Sequence, residues 1–111
     1  MLKVRFYVTK SGRSPVEELL AEGSPKLRVD FLDAVIRLEA GETLPMPLAR
    51  NLSSTMLGLF ELRLRDLNSI FRIFFVLRVG DAIYFLHGFK KKSQKIPKQL
   101  LNLVLKRAKE I

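Results

Sequence analysis

The sequence predicts a single α+β domain over residues 1–111: an N-terminal strand, two helices, an antiparallel three-stranded meander and a C-terminal helix. Three observations carry that prediction. An apolar period of two runs through Leu59 to Arg65 and again through Ser69 to Val79, the mark of strands with two distinct faces. Ser-Pro pairs at 14–15 and 24–25 each open a stretch that places apolar residues at helical spacing. Turn-forming clusters, Asp66-Leu67-Asn68-Ser69 and Gly80-Asp81, separate three successive strand-like runs, which makes the runs a meander.

Taken in order, Leu2 to Thr9 sets Leu2, Val4, Phe6 and Val8 against Lys3, Arg5, Tyr7 and Thr9, an edge strand with one buried face. Ser14-Pro15-Val16-Glu17 supplies a capping Ser, a Pro at the first helical position and a Glu at the third, so a short helix runs to about Ala21. Ser24-Pro25 repeats the device, and the stripe Leu27, Phe31, Ala34, Val35, Leu38 continues until Gly41 ends it. Its charged residues, Lys26, Arg28, Asp30, Asp33, Arg37 and Glu39, read as a solvated face. Leu44-Pro45-Met46-Pro47-Leu48 is a loop, because each Pro lacks a donor and restrains the residue before it. Arg50 to Gly58 reads as its continuation, with Gly58 turning the chain into the next strand.

In that strand Phe60, Leu62 and Leu64 point one way while Glu61, Arg63 and Arg65 point the other, a half-buried strand with a charged face. In the following one, Phe71, Ile73, Phe75, Leu77 and Val79 oppose Arg72, Phe74, Val76 and Arg78. Ala82 to Phe89 is apolar on both faces and suits a central strand, with His87 grouped by parity with Ile83, Phe85 and Phe89. Leu100, Leu101, Val104, Ala108 and Ile111 share one face of a terminal helix from Pro97. Ile96 cannot cap that helix, at a cost of about 1 kcal/mol, and Ser93 offers an earlier start.

A compact domain of this size buries roughly two thirds of its unfolded surface. With 48% hydrophobic residues, eight Phe among them, the chain has the material for a core and does not read as disordered. The formal charge is +9, concentrated late: Ala82 to Ile111 holds eight basic side chains and one acid, Glu110. Lys90, Lys91, Lys92, Lys95 and Lys98 follow the last strand, so basic groups converge near one sheet surface and would attract a polyanion. Surface lysines also serve solubility alone, but clustering at strand ends favours the polyanion. Without Cys there is no disulfide framework or thiolate nucleophile, and a single His leaves no zinc site, so no metal or other cofactor is expected. The N-terminal apolar run is too short for a signal peptide and no run reaches membrane-spanning length, which predicts a cytoplasmic protein with no membrane partner.

Three motifs resemble those of the RelE/ParE toxin superfamily, most closely its HigB-type, phage-derived branch. Gly58-Leu59-Phe60-Glu61-Leu62-Arg63 is similar to the family's Gly-Leu-aromatic-Glu-Leu-Arg strand, and Phe71-Arg72-Ile73-Phe74-Phe75 to its aromatic-Arg-aliphatic-aromatic strand. Phe89-Lys90-Lys91-Lys92-Ser93-Gln94-Lys95-Ile96-Pro97 is similar to its Phe-x-Lys-Lys-Ser/Thr-x-Lys-Thr-Pro segment. The resemblance implies a small RelE-like fold and the toxin of a type II toxin–antitoxin system. It further implies a hydrolase of RNA, a metal-independent mRNA interferase (an endoribonuclease) that cuts mRNA on the ribosome and is neutralised by an acidic or helix-turn-helix antitoxin. Carried over by position, it implies catalytic roles for Arg63, Arg72 and Lys91. The Tyr that some RelE-type enzymes hold early in the C-terminal segment has no counterpart, since no Tyr follows Tyr84. A ParE-like topoisomerase inhibitor and an inactive phage-derived nucleic-acid-binding module are the competing readings.

RNA carries its own nucleophile, the 2′-hydroxyl, so a metal-free nuclease needs in-line positioning, proton transfer and charge stabilisation at phosphorus. An Arg fork grips two phosphate oxygens and keeps its charge, which makes Arg72 the stabilising group with Arg63 and Lys91 beside it. Crowding cations disfavours their charged form, so one of Lys90, Lys91 or Lys92 could exchange protons. His87, the only imidazole, is a candidate acid or base, or a strand histidine satisfied by a neighbour. Glu61 is a candidate base, though a structural ion pair with its arginine neighbours is the better reading. Phe74 could stack a base beside Arg72 but reads rather as core. Arg65, Lys90, Lys92, Lys95 and Lys98 complete the expected RNA-binding set.

Overall fold

The computed structural model describes residues 2–77, 82–91 and 95–111, and of Lys91 the backbone alone. Arg78, Val79, the Gly80-Asp81 turn, Lys92 and Ser93 lie outside the described residues. The elements are β1 (Lys3–Phe6), α1 (Pro15–Ala21), α2 (Pro25–Glu39), β2 (Ala49–Asn51), β3 (Leu59–Asp66), β4 (Ser69–Leu77), β5 (Ala82–Lys91) and α3 (Lys98–Glu110). The strands form one sheet in the order β1-β5-β4-β3-β2. β3, β4 and β5 make the expected antiparallel meander, while β1 runs parallel to β5, so the sheet is mixed.

One strand was not foreseen. Ala49–Asn51 belongs to the stretch read as connector, yet it pairs antiparallel with β3, Ala49 opposite Leu62. Arg63 N–H donates to the Leu48 carbonyl at 2.8 Å and Leu52 N–H to the Leu59 carbonyl at 2.8 Å, bracketing the pairing. Three residues are too few to show a period, which is why the sequence hid the strand. Gly58 then turns into β3 at φ +81°, and a Cβ there would lie 2.7 Å from the Leu77 carbonyl oxygen; only glycine suits both the angle and the approach.

α1 and α2 cover the first face of the sheet. Leu27, Phe31, Ala34 and Leu38 of α2 pack with Leu62, Leu64, Phe71, Ile73, Phe75, Ile83 and Phe85. Phe85 sits among rings, with centroids 5.1 Å from Phe31, 5.4 Å from Phe75 and 5.6 Å from Phe6. The Ser24 hydroxyl caps α2, accepting from Leu27 N–H at 3.1 Å. The matching expectation for α1 fails: Ser14 is the N-cap residue but its side chain makes no cap bond. Its backbone lies at φ −110°, ψ 97°, against φ −69°, ψ 163° at Ser24, where the cap forms.

α3 covers part of the second face, setting Val104 and Ala108 against Leu52, Leu59, Phe74, Val76 and Leu86. It starts at Lys98 with Pro97 as N-cap and no side-chain cap, in line with Ile96 being unable to supply one. The end of this face that carries Arg63, Arg65 and Arg72 opens into a cleft instead. The β4–β5 register slips between Phe74 and Phe75: Phe74 faces His87, Phe75 faces Phe85, and Leu86 is the extra residue. This bulge corrects the parity of His87, which shares the second face with Phe74 rather than the first with Ile83 and Phe85.

Candidate functional site

Ladder register places the cations. Arg63 on β3 lies directly opposite Arg72 on β4, and Arg65 lies opposite Ile70. Like charges facing one another across a ladder repel, and Glu61 offsets this. Its Oε1 accepts from Arg63 Nε at 2.9 Å and its Oε2 from Arg72 Nη1 at 3.1 Å. Glu61 and Arg72 are fully buried and the Arg63 side chain is 17% exposed, while Arg65 is exposed. The charged face expected to be half-solvated is therefore a graded one, closed at Glu61 and Arg72 and open at Arg65. Glu61 is the structural ion-pair partner of two arginines.

The three arginines line a cleft of about 310 Å³ whose other walls are Pro47, Leu48 and Ile70. Pro47 and Leu48 arrive from the proline-rich loop, and their part in the site was missed because nothing in a loop sequence says which strand it will lean on. The arrangement can receive an anion: guanidinium forks at one side, apolar surface at the other, and Arg72 held at the back by Glu61. The Lys91 backbone pairs with Ile70, next to this wall.

The lysines do not all converge as expected. Lys90 pairs with Phe71, whose side chain belongs to the first face, and its Nζ lies 3.2 Å from Glu22 at the end of α1. Strand alternation sends it away from the arginines. Lys95 and Lys98 are exposed around the start of α3, neither lines the arginine cleft, and Lys92 is outside the described residues.

His87 is not in the cleft lining either. α3 brings Arg107 over it: Nη1 donates to His87 Nδ1 at 2.8 Å and to the Leu86 carbonyl at 3.0 Å. Burial first, and then the neighbouring guanidinium, push the imidazole down to about 4. With Nδ1 accepting, His87 is a neutral, satisfied strand histidine at physiological pH. Nothing in the sequence marks Arg107 as a partner of His87, although it sits three residues after Val104 at the margin of the apolar stripe of α3. Phe74 is fully buried and stacks on Phe89 with centroids 6.1 Å apart, as core rather than as a platform for a base.

A larger cleft, about 600 Å³, lies between β1 and the end of α3, lined by Tyr7, Thr9, Lys10, Tyr84, Lys106 and Glu110 among others. There the Tyr7 hydroxyl donates to Glu110, which raises the phenol above its ordinary range, and Arg107 stacks on the Tyr7 ring at 4.7 Å. These contacts fasten α3 to β1. Size favours this cleft, but convergent guanidiniums favour the smaller one, and chemistry decides. Among the described residues no group of His, Cys, Asp and Glu is placed to hold a metal ion, and no helix is long and apolar enough to cross a membrane.

Fold and cleft together define a small, basic α+β domain with an arginine-lined cleft on the less covered face of its sheet. The chain belongs to the phage-derived Gp49-like family, described as "Phage derived protein Gp49-like (DUF891)", which matches residues 18–109. This is a RelE-like, toxin-like family in general terms. No curated protein matches the chain.

Proposed function

We propose that the chain is the toxin of a toxin–antitoxin pair, close to the HigB type, and cuts mRNA on the ribosome without a metal ion. The observation that carries this reading is the meeting of Arg63, Arg65 and Arg72 in one cleft, within a family that is RelE-like. The scissile phosphate enters between Arg63 and Arg65, with Arg72 behind. The 2′-hydroxyl attacks the adjacent phosphorus, the P–O bond to the 5′-oxygen breaks, and a 2′,3′-cyclic phosphate and a 5′-hydroxyl result. The guanidiniums stabilise the charge that gathers on the non-bridging oxygens. Lys91, one residue pair from the cleft wall in register, takes the third basic position; His87, neutral under Arg107, takes none.

Cleavage mapping in a translating extract tests this. Ribosome-dependent cuts that vanish with Arg63→Ala support it, and cuts that persist in EDTA with the ribosomes shown to be intact support the metal-free step. Intact mRNA with a wild-type chain that still binds RNA would leave the non-cutting binding module in its place. Growth arrest with intact mRNA and loss of DNA supercoiling control would indicate the ParE-like inhibitor.

A further inference from the structure

The arginine cleft carries more apolar surface than a phosphate alone can use. Half of its lining, Pro47, Leu48 and Ile70, has no side-chain donor or acceptor, and the other half is guanidinium, which only donates. Ile70 stands opposite Arg65 in the β3–β4 ladder and is partly buried, yet it belongs to neither core of the sheet. Pro47 is exposed, and the bond from Arg63 N–H to the Leu48 carbonyl holds its loop against β3.

Apolar wall facing water is unfavourable. A ligand that brings both an anion and a flat apolar surface covers the wall while it pairs with the arginines, and a nucleotide is such a ligand. The cleft volume, about 310 Å³, lies at the small end of the range for ligand sites, which suits one nucleotide unit. The wall presents faces and no hydrogen-bonding edge, so it sorts bases by ring area: a purine covers more of it than a pyrimidine does.

We infer that Pro47, Leu48 and Ile70 seat one unpaired base, the base joined to the phosphate held by the arginines, and that this seat selects purines by ring size. The inference rests on reading the cleft as an RNA site, and adds which nucleotide it holds.

Equilibrium binding of the full chain to short phosphodiester strands of abasic deoxyribose tests it, each strand carrying one 2′-fluoro nucleotide so that no nucleophile is present. Strands with adenine or guanine should bind about five- to tenfold tighter than a wholly abasic strand, with uracil between them. Ile70→Thr keeps a β-branched side chain but sets a hydroxyl in the wall, and should shrink the purine advantage at least about twofold without changing abasic binding. Ile70→Phe, which widens the wall, should enlarge it. Val29→Thr, at a 62% exposed site on α2, should leave it as in the parent. Abasic strands that bind as tightly as purine strands, or a purine advantage unmoved by both Ile70 variants, overturn the inference. So does a chain that binds no strand even at low salt, where phosphate contacts are strongest. A chain that cuts mRNA on the ribosome but ignores the base loses this inference and keeps the proposed activity; purine-selective binding without cutting does the reverse.

Discussion

Arg63 and Arg72 are direct cross-strand partners, and a single buried carboxylate, Glu61, binds both. Two guanidiniums opposed in a ladder are tolerated only because that carboxylate lies between them. The arrangement pre-positions both forks while leaving one net positive charge in the triad. Breaking a buried ion pair strands the remaining charge, at a cost of about 3–5 kcal/mol. Glu61→Ala should therefore lose that much stability in urea unfolding, and Glu61→Gln less, since the amide still accepts one hydrogen bond. A loss under about 1 kcal/mol for Glu61→Ala would mean the arginines relax apart freely.

The same burial changes how catalysis must be probed. Either Arg→Ala change removes one of the two partners of Glu61, but Arg72→Ala also empties a fully buried position while Arg63 is partly exposed, so Arg63 is the cleaner site, with urea unfolding of the variant as its control. If it stabilises charge at phosphorus, Arg63→Ala should cost roughly 2.7–4 kcal/mol of transition-state stabilisation, a hundredfold or more in single-turnover cleavage.

Arg65 is exposed and outside the Glu61 pairing, so Arg65→Ala should fold as the parent does, within about 0.5 kcal/mol. Its effect belongs to attraction. The slope of log binding constant against log salt for single-stranded RNA should fall by about 0.7. An unchanged slope would remove Arg65 from the phosphate path.

Acidification should destabilise the chain in two stages. His87 is held down to about 4 from 6.5. The unfolded chain thus takes up the proton first, and stability that is complete above pH 6.5 is lost as pH falls toward 4. Asp66 is held below its ordinary 3.8 by hydrogen bonds from the Ser24 hydroxyl and N–H. Its contribution is present above that value and disappears below it. His87→Gln should remove the upper stage from a plot of melting temperature against pH and leave the lower one.

At the β3–β4 turn Leu67 adopts φ 51° while 95% exposed, a left-handed conformation that costs a residue with a Cβ about 1–2 kcal/mol. Leu67→Asn, which tolerates the conformation, should stabilise the chain by roughly 0.5–1 kcal/mol in urea. Gly58→Ala, facing both a positive φ and the Leu77 carbonyl, should destabilise it by more than 1 kcal/mol. Parent-like unfolding in either variant would mean that the turn in question re-forms with another geometry.

Long periodic elements were legible in the sequence. The alternation through Leu59–Arg65 and Ser69–Leu77 gave both strands and the correct face for each residue, and the Ser24-Pro25 cap gave α2 its start. What stayed hidden depends on contacts distant in sequence. Ala49–Asn51 becomes a strand only because β3 offers an edge. The Leu86 bulge, invisible to a count by twos, reverses the face of His87. Arg63 and Arg72 were legible as site candidates, but their sharing of Glu61 follows from register, and the wall formed by Pro47 and Leu48 from loop placement. Lys90 looked like its neighbours in a basic run, until alternation turned it toward Glu22.

The parallel pairing of β1 with β5 has a consequence for the order of events during synthesis. Val4 meets Ile83, so that closure takes in most of the chain, whereas the β3–β4 hairpin closes through a two-residue turn. Local closure is the faster process. A nascent chain can therefore assemble its arginine-bearing hairpin while β1 still lacks its neighbour β5, and β1 joins after β5 has left the exit tunnel. Substitutions such as Val4→Ala should speed unfolding and leave the refolding rate nearly unchanged, whereas Ile73→Val should slow refolding.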